Sequence, residues 1–217
     1  MSKKDRFQIE QEMAEAISEQ LMEDMRYLNN LEEPPPDFWH EEKKKLRDVI
    51  LPLFLLAMTI RMEETAGIPE LPYIDFDTFM GSAQSWASNY VYDLVSGITN
   101  KTQLSLQSAF ASFFSGGIGE AELRSRIAYW FSPYRAETIA ITEVTRAVQS
   151  GMDYIFGTIL QKYPGFGLEE TWKTAGDERV CELCSPLDGT PKGVLWFSPP
   201  PLHPRCRCER EIKLIRK

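Results

Sequence analysis

All four cysteines of the chain lie close to its C-terminal end: Cys181 and Cys184 in C-E-L-C, then Cys206 and Cys208 in P-L-H-P-R-C-R-C. His203, one of only two histidines, stands three positions before Cys206, so the second cluster reads H-x-x-C-x-C. Two short thiol-bearing turns about twenty residues apart have the spacing of a pair of metal knuckles. In C-x-x-C both sulfurs of one turn reach the same ion, and H-x-x-C does likewise from the opposite side. Five side chains therefore compete for four tetrahedral places. The favoured set is Cys181, Cys184, His203 and Cys206, with Cys208 substituting if the imidazole faces solvent. Zn²⁺ in a structural role is the ion expected, because a complete set of protein ligands leaves no open position. The competing reading is a set of reduced, buried thiols or a disulfide formed on oxidation.

The surrounding segment, residues 168–217, is about fifty residues long, short for a core that must hold itself together. Metal binding would supply what apolar burial cannot. Its local pattern is loop and strand: short strands are expected over 169–173, 194–197 and 211–215, with the cysteine pair in a turn. Trp172 and Trp196 are expected to pack against the knuckles. Asp177 and the Asp188-Gly189 pair read as turn chemistry.

The preceding chain is helical in pattern. Over residues 6–31, Ile9, Met13, Ile17, Leu21 and Leu28 form one stripe, with acids including Glu10, Glu12 and Asp24 assigned to the other side. Pro34, Pro35 and Pro36 stop that helix. Asp37 is placed to cap a second helix through Glu64, kinked or divided at Pro52. After a loop at Gly67, Pro69 and Pro72, a third helix is expected over 75–97, carrying Phe76, Phe79, Trp86, Tyr90 and Leu94. Thr99 is then read as the cap of a fourth, ended by Gly116, Gly117 and Gly119. A short helix follows over 120–131. The cleanest period of all, Ile141, Val144, Val148, Met152, Ile155 and Ile159, marks a helix from Tyr134 to about Tyr163. The fold class expected is α+β: a mostly α-helical body and a small C-terminal β/loop module, stapled by zinc.

The formal charge of -8 and pI near 5.0 argue against general nucleic-acid binding, which needs clustered Lys and Arg. The exception is the basic tail, where Arg205, Arg207, Arg210 and Lys213 are candidate DNA contacts. The start, MSKKDRFQIEQEM, lacks the apolar core of a secretory signal. The apolar stretch Val49–Met58 is too short for a membrane span, which takes roughly 20 residues. A reducing cytoplasm is therefore the expected site of synthesis, where thiols stay free for metal. Catalysis has a thinner basis. Asp177, Glu178, Asp188 and His203 could be cast as a metal-assisted nuclease site, but that histidine is already a suspected ligand and His40 lies in a charged, exposed helix start. No catalytic residue is expected.

The ordered string W-K-T-A-G-D-E-R-V-C-E-L-C-S-P-L-D-G, then F-S-P-P-P-L-H-P-R-C-R-C, resembles the signature of the phage Mu F-like head morphogenesis family. The upstream helix R-A-E-T-I-A-I-T-E-V-T-R-A-V-Q-S-G, with its T-E-x-x-R core, is similar as well. The likeness covers roughly residues 99–210 and rests on Trp172, Asp177, Cys181, Cys184, Asp188, Gly189, Pro200, His203, Pro204, Cys206, Arg207 and Cys208. It implies a non-enzymatic minor capsid protein of the phage head, assembled in the bacterial host cytoplasm. The implied partners are the portal protein, scaffold or major capsid protein, and packaged DNA, with no membrane. It also implies a division into an N-terminal helical region for interactions, 1–98, and a head-morphogenesis domain, 99–217. Some relatives carry a toxin or enzyme domain after the C-R-C motif; with nine residues after Cys208, none is expected here. A zinc-supported DNA-processing enzyme and a DNA-binding accessory protein are the alternatives.

Overall fold

A computed structural model describes residues 3–28, 34–35, 37–68, 71–72 and 76–217. Among them run five α-helices, α1 (Lys3–Leu28), α2 (Phe38–Ala66), α3 (Phe76–Phe114), α4 (Glu120–Trp130) and α5 (Pro133–Lys162). Two strands follow, β1 (Phe166–Lys173) and β2 (Glu209–Arg216), paired antiparallel with Phe166 opposite Arg216 and Lys173 opposite Glu209. The class is the expected one: a mostly helical body and a small C-terminal β/loop module. The expected end of the first helix at residue 31, Pro36 of the proline stop, Pro69 of the next loop and the expected helix start at 75 lie outside the described residues, as do Phe76 and Phe79 as apolar positions.

The stripe Ile9, Met13, Ile17, Leu21 and Leu28 of α1 is buried throughout. Not all the acids oppose it: Glu10 and Asp24 are themselves buried. Asp24 sits between Leu21 and Leu28 at helical steps of three and four, so the stripe passes through it. The Asp37 carbonyl accepts the N–H groups of His40 (3.0 Å) and Glu41 (3.1 Å), starting α2 at the expected place. α2 is not divided at Pro52. A proline there removes one backbone donor, yet the buried Ile50, Phe54, Ala57 and Met58 on either side keep the helix running.

α3 corrects the sequence reading. No break occurs between residues 97 and 99, and Thr99 is a buried mid-helix residue, not a cap. Buried positions step along one stripe, Ala83, Ala87, Val91, Val95, Thr99, Thr102, Leu106 and Phe110. An exposed glycine in a helix costs only about 1 kcal/mol, and that continuous stripe outweighs Gly97. The helix does end at the glycines: Gly116 takes φ 76°, and the Gly117 N–H donates to the Ser112 carbonyl at 2.8 Å.

A domain boundary at 98/99 would therefore cut a continuous helix. The chain instead forms two interleaved compact units, each taking stretches of the same long helices. One comprises Glu10–Leu53 and Ser85–Ala140. Its core holds Ile17, Leu21, Leu46, Val91, Leu106 and Phe131, together with a buried polar pocket. There Arg135 donates to Thr102 Oγ1 (2.7 Å) and lies over the Trp130 ring. Burial, and then the neighbouring Asp24 carboxylate, push Glu42 up to about 9.

The other unit comprises the start of α1 through Ile9, Phe54–Gln84 and Ile141–Lys217. Here α2 and α5 approach so closely at Gly151 that a Cβ would stand 2.8 Å from the Met58 carbonyl oxygen. Ile141, Val144, Val148, Met152, Ile155 and Ile159 of α5 are all buried, as expected. β1 lies at the centre of the C-terminal module. Its second edge is covered by the segment after Asp188: Trp172 N–H donates to Thr190 O, Gly189 N–H to Trp172 O, and Lys192 N–H to Glu170 O, each at 2.9 Å. The strand expected over 194–197 is a turn, with Gly193 at φ 90° and its N–H on the Trp196 carbonyl. That apolar run misled because Trp196 alone points inward, while Val194, Leu195 and Phe197 are exposed.

Candidate metal centre

Two four-residue turns carry four of the five candidate ligands. In C-E-L-C the Cys184 N–H donates to the Cys181 carbonyl (3.1 Å), and the Ser185 N–H to the same oxygen (2.9 Å). In H-P-R-C the Cys206 N–H donates to the His203 carbonyl (3.2 Å). Each turn thus directs its first and fourth side chains to one side, and the two turns face each other.

Cys181, Cys184 and His203 form one group whose donor atoms all lie within 4.8 Å of one another, and Cys184, Cys206 and Cys208 form another. Cys184 belongs to both. His203 Nε2 lies 3.0 Å from Cys181 Sγ and 3.3 Å from Cys184 Sγ, and Cys184 Sγ lies 3.9 Å from Cys206 Sγ. Ligands about 2.0–2.3 Å from one tetrahedral ion stand about 3.5–3.8 Å apart, and these separations bracket that range. His203 Nδ1 lies 2.8 Å from the Pro204 carbonyl, to which it donates, leaving Nε2 as the free acceptor. Such a backbone partner fixes both tautomer and ring orientation in metal sites. The imidazole faces the sulfurs of Cys181 and Cys184, while Cys208 stands with Cys184 and Cys206 in the second group.

The electrostatics fit a cation. A hydrogen bond from Cys208 holds Cys206 down at about 5 despite its burial. The same bond, with burial, pushes Cys208 far above the ordinary thiol range. Burial and the nearby Cys206 push Cys184 up to about 12. Burial opposes ionisation of Cys181, but the N–H and thiol of Cys184 win and lower it. Sulfurs this close cannot all ionise by themselves, and a divalent ion would offset the repulsion between them and let coordinating thiols ionise. Donor set, spacing and tautomer give these five side chains what they need to hold a metal ion.

The rest of the module braces the turns. Trp172 and Trp196 pack edge to face with centroids 5.3 Å apart, in a buried cluster with Cys184, Leu187, Cys206 and Cys208. Asp177 accepts the Arg179 N–H (3.0 Å) and pairs through both oxygens with Arg207 (2.7 and 2.6 Å). Asp188 accepts from the Thr174 N–H (2.7 Å) and hydroxyl (2.9 Å), and Gly189 takes φ 73°.

The basic run is not an exposed patch. Arg210, 3% exposed, donates to Gln149 Oε1 (2.8 Å), Glu170 (2.8 Å) and Asp153 (2.7 Å). Arg207 is occupied by Asp177, Arg205 is half-buried at φ 65°, and exposed Lys213 lies 3.5 Å from Glu211. Arg210 is thus a core residue and not a DNA contact.

Arg6, Thr145 and Gln149 escaped the sequence reading, and Thr142 of the T-E-x-x-R core joins them in bracing the module. Arg6 donates to the Arg207 carbonyl (3.1 Å), to Glu209 (2.9 Å) and to Thr145. The Thr145 hydroxyl reaches the Cys206 carbonyl at 2.6 Å and the Ile141 carbonyl of its own helix at 2.9 Å. Thr142 Oγ1 accepts the Arg205 N–H at 3.0 Å, and Gln149 receives Arg210. The signal for Thr145 and Gln149 lay in α5 itself, where both fall within the apolar period as polar residues that need a buried partner.

Among the described residues no helix is long and apolar enough to cross a membrane. Compared with protein-family models, curated proteins and solved structures, the chain has no significant match to any of them.

Proposed function

We propose that the chain is a non-enzymatic minor head protein of a phage. In this reading the C-terminal module is a structural zinc fold, and the long helices serve assembly with the portal and with scaffold or capsid protein inside the virion. Zinc is held by Cys181, Cys184, His203 and Cys206, the paired turns, while Cys208 donates a hydrogen bond to Cys206 from outside the ligand set. Thiolate-rich tetrahedral donors favour zinc over the oxygen-seeking divalent ions.

The observation that carries the non-enzymatic reading is the use to which the motif residues are put. Asp177 is paired with Arg207, Asp188 caps Thr174, Trp172 packs on Trp196, and His203 Nε2 is directed at two sulfurs. A nuclease would need one of these groups free to activate water. The phage assignment itself rests on the ordered motif residues and their likeness to the Mu F-like head morphogenesis family.

Two measurements test it. Elemental analysis of protein purified under reducing conditions should find about one zinc per chain; a folded, metal-free protein removes the zinc. Co-sedimentation with the portal protein of the same phage should survive His203→Ala more readily than any DNA cleavage would. Cleavage of DNA with Mg²⁺ or Mn²⁺ that is lost in that variant would replace the structural reading with the enzymatic one.

A further inference from the structure

The H-P-R-C turn supplies two of the four proposed ligands, and its backbone is not at ease. Arg205, inside it, takes φ 65°, a left-handed conformation that residues other than glycine seldom adopt. Something must hold it there, and the hydrogen bonds identify what does. Thr142 accepts the Arg205 N–H (3.0 Å), and one helical turn further along α5 Thr145 donates to the Cys206 carbonyl (2.6 Å). The two hydroxyls therefore grip the donor on one side and the acceptor on the other of the dipeptide that ends in a ligand. Arg6 closes the clamp from α1, bonding both Thr145 and the next carbonyl, that of Arg207. Thr145 is fully buried, so its bonds have no competition from water.

We propose that Thr142 and Thr145 are positioning residues of the metal centre, a helix-borne template that presets the His203–Cys206 turn before the ion arrives. This rests on the zinc reading above. Outer partners of this kind set how far a site must reorganise on binding, and their loss weakens metal affinity by about 10–100-fold. The threonine spacing on α5 then has a function of its own: T-x-x-T puts two hydroxyls on one face at the separation of a dipeptide's N–H and C=O.

The test is a zinc dissociation constant, measured for the full chain by competition with a chromophoric chelator under reducing conditions. Thr145→Val should weaken zinc by about 10–100-fold and Thr142→Val somewhat less, while Thr145→Ser, which keeps the hydroxyl, should restore most of the affinity. Val144→Ala is the control for general loss of packing, since Val144 is fully buried on the same helix. It should lower the melting temperature and leave the dissociation constant nearly unchanged. Should Thr145→Val fail to fold, Thr142→Val at its half-buried position carries the comparison. Affinity within twofold of the unsubstituted chain in both threonine variants, or equal weakening in Val144→Ala, overturns the template. Absence of tight zinc binding by the unsubstituted chain overturns the zinc reading, and the template with it.

Discussion

The helical unit formed by Glu10–Leu53 and Ser85–Ala140 and the C-terminal module bury their interiors by opposite means. The first encloses long aliphatic and aromatic side chains delivered by helical stripes, Ile17 and Leu21 from α1, Val91 and Leu106 from α3. In the buried cluster of the module, three of six residues are cysteines, and Trp172 and Trp196 supply most of its apolar volume. Apolar burial stabilises in proportion to area, so the helical unit can rely on it. The module has too little such area for its length and relies on directional bonds. Directional bonding makes it a sharper structure and a more conditional one.

The largest predicted effect separates the two outright. Chelation, or Cys184→Ser at the position common to both ligand groups, should melt the module while α3 and α4 stay protected. Structural zinc contributes on the order of 10 kcal/mol to small domains that depend on it. Hydrogen exchange followed by mass spectrometry should show residues 166–217 exchanging freely and 85–130 unchanged. Equal protection of the module with and without chelator would falsify the metal dependence.

Next in size is a matched pair of substitutions. Arg210→Ala strips a buried cation from Gln149, Glu170 and Asp153. It leaves Glu170, which Lys192 and Arg210 together hold below the usual carboxylate range against its burial, with half its partners. A loss of about 3–5 kcal/mol is expected for breaking such a network from one side. Leu21→Ala in the helical unit should cost about 2–5 kcal/mol through the cavity it leaves. The energies overlap, but the zinc dissociation constant should rise only in Arg210→Ala. If both variants weaken zinc equally, the two regions are not energetically distinct in the way their interiors suggest.

The same contrast governs what could be read from sequence. Periodicity reports apolar burial, so the apolar members of the α1 and α5 stripes are legible in the sequence, and so are the thiol turns, whose spacing is dictated by ligand geometry. Periodicity does not report what a buried polar residue does. Thr99 has the composition of a cap and the position of a core residue; only counting it within the stripe from Val95 to Thr102 would have joined α3. Arg210 stands in a basic run and reads as a candidate DNA contact, because its partners Gln149 and Asp153 are about sixty residues away in the chain. Nothing local distinguishes a clamped arginine from a solvated one.

Glu42 supplies a prediction from the helical unit, where polar burial is the exception. Its carboxyl, raised from the ordinary 4.5 to about 9 by burial and then by Asp24, is opposed only in part by Lys45 and Arg135. The unfolded chain releases this proton near the ordinary value, while the folded one keeps it to about 9. Between those limits the native state holds more protons, so stability falls as pH rises. Glu42→Gln, which keeps a donor toward Asp24 without a titrating proton, should match the unsubstituted chain near pH 4.5 and exceed it progressively up to about pH 9. Melting temperatures at pH 5, 7 and 9 measure this; parallel curves for the two proteins would sink it.

The smallest effect is expected at Asp177 and is informative for that reason. Its carboxylate bonds Arg207, a residue between two cysteines, and so ties the loop before C-E-L-C to the chain after H-P-R-C. Burial works against the charge, yet the Arg207 and Arg179 contacts prevail and hold Asp177 below its usual range. A depressed folded value means stability that is present above the ordinary aspartate range and lost as pH falls through the folded value. The Asp177 side chain is 35% exposed, however, and solvent screens the pair. Asp177→Asn should therefore cost at most about 1 kcal/mol, with the deficit vanishing at strongly acidic pH. Zinc affinity should change by less than about threefold if the ligands and the α5 threonines define the turn. A tenfold loss in Asp177→Asn would move the loop pairing inside the machinery of the site, and the comparison would have to be redrawn with the Asp177–Arg207 pair as part of the metal centre's support.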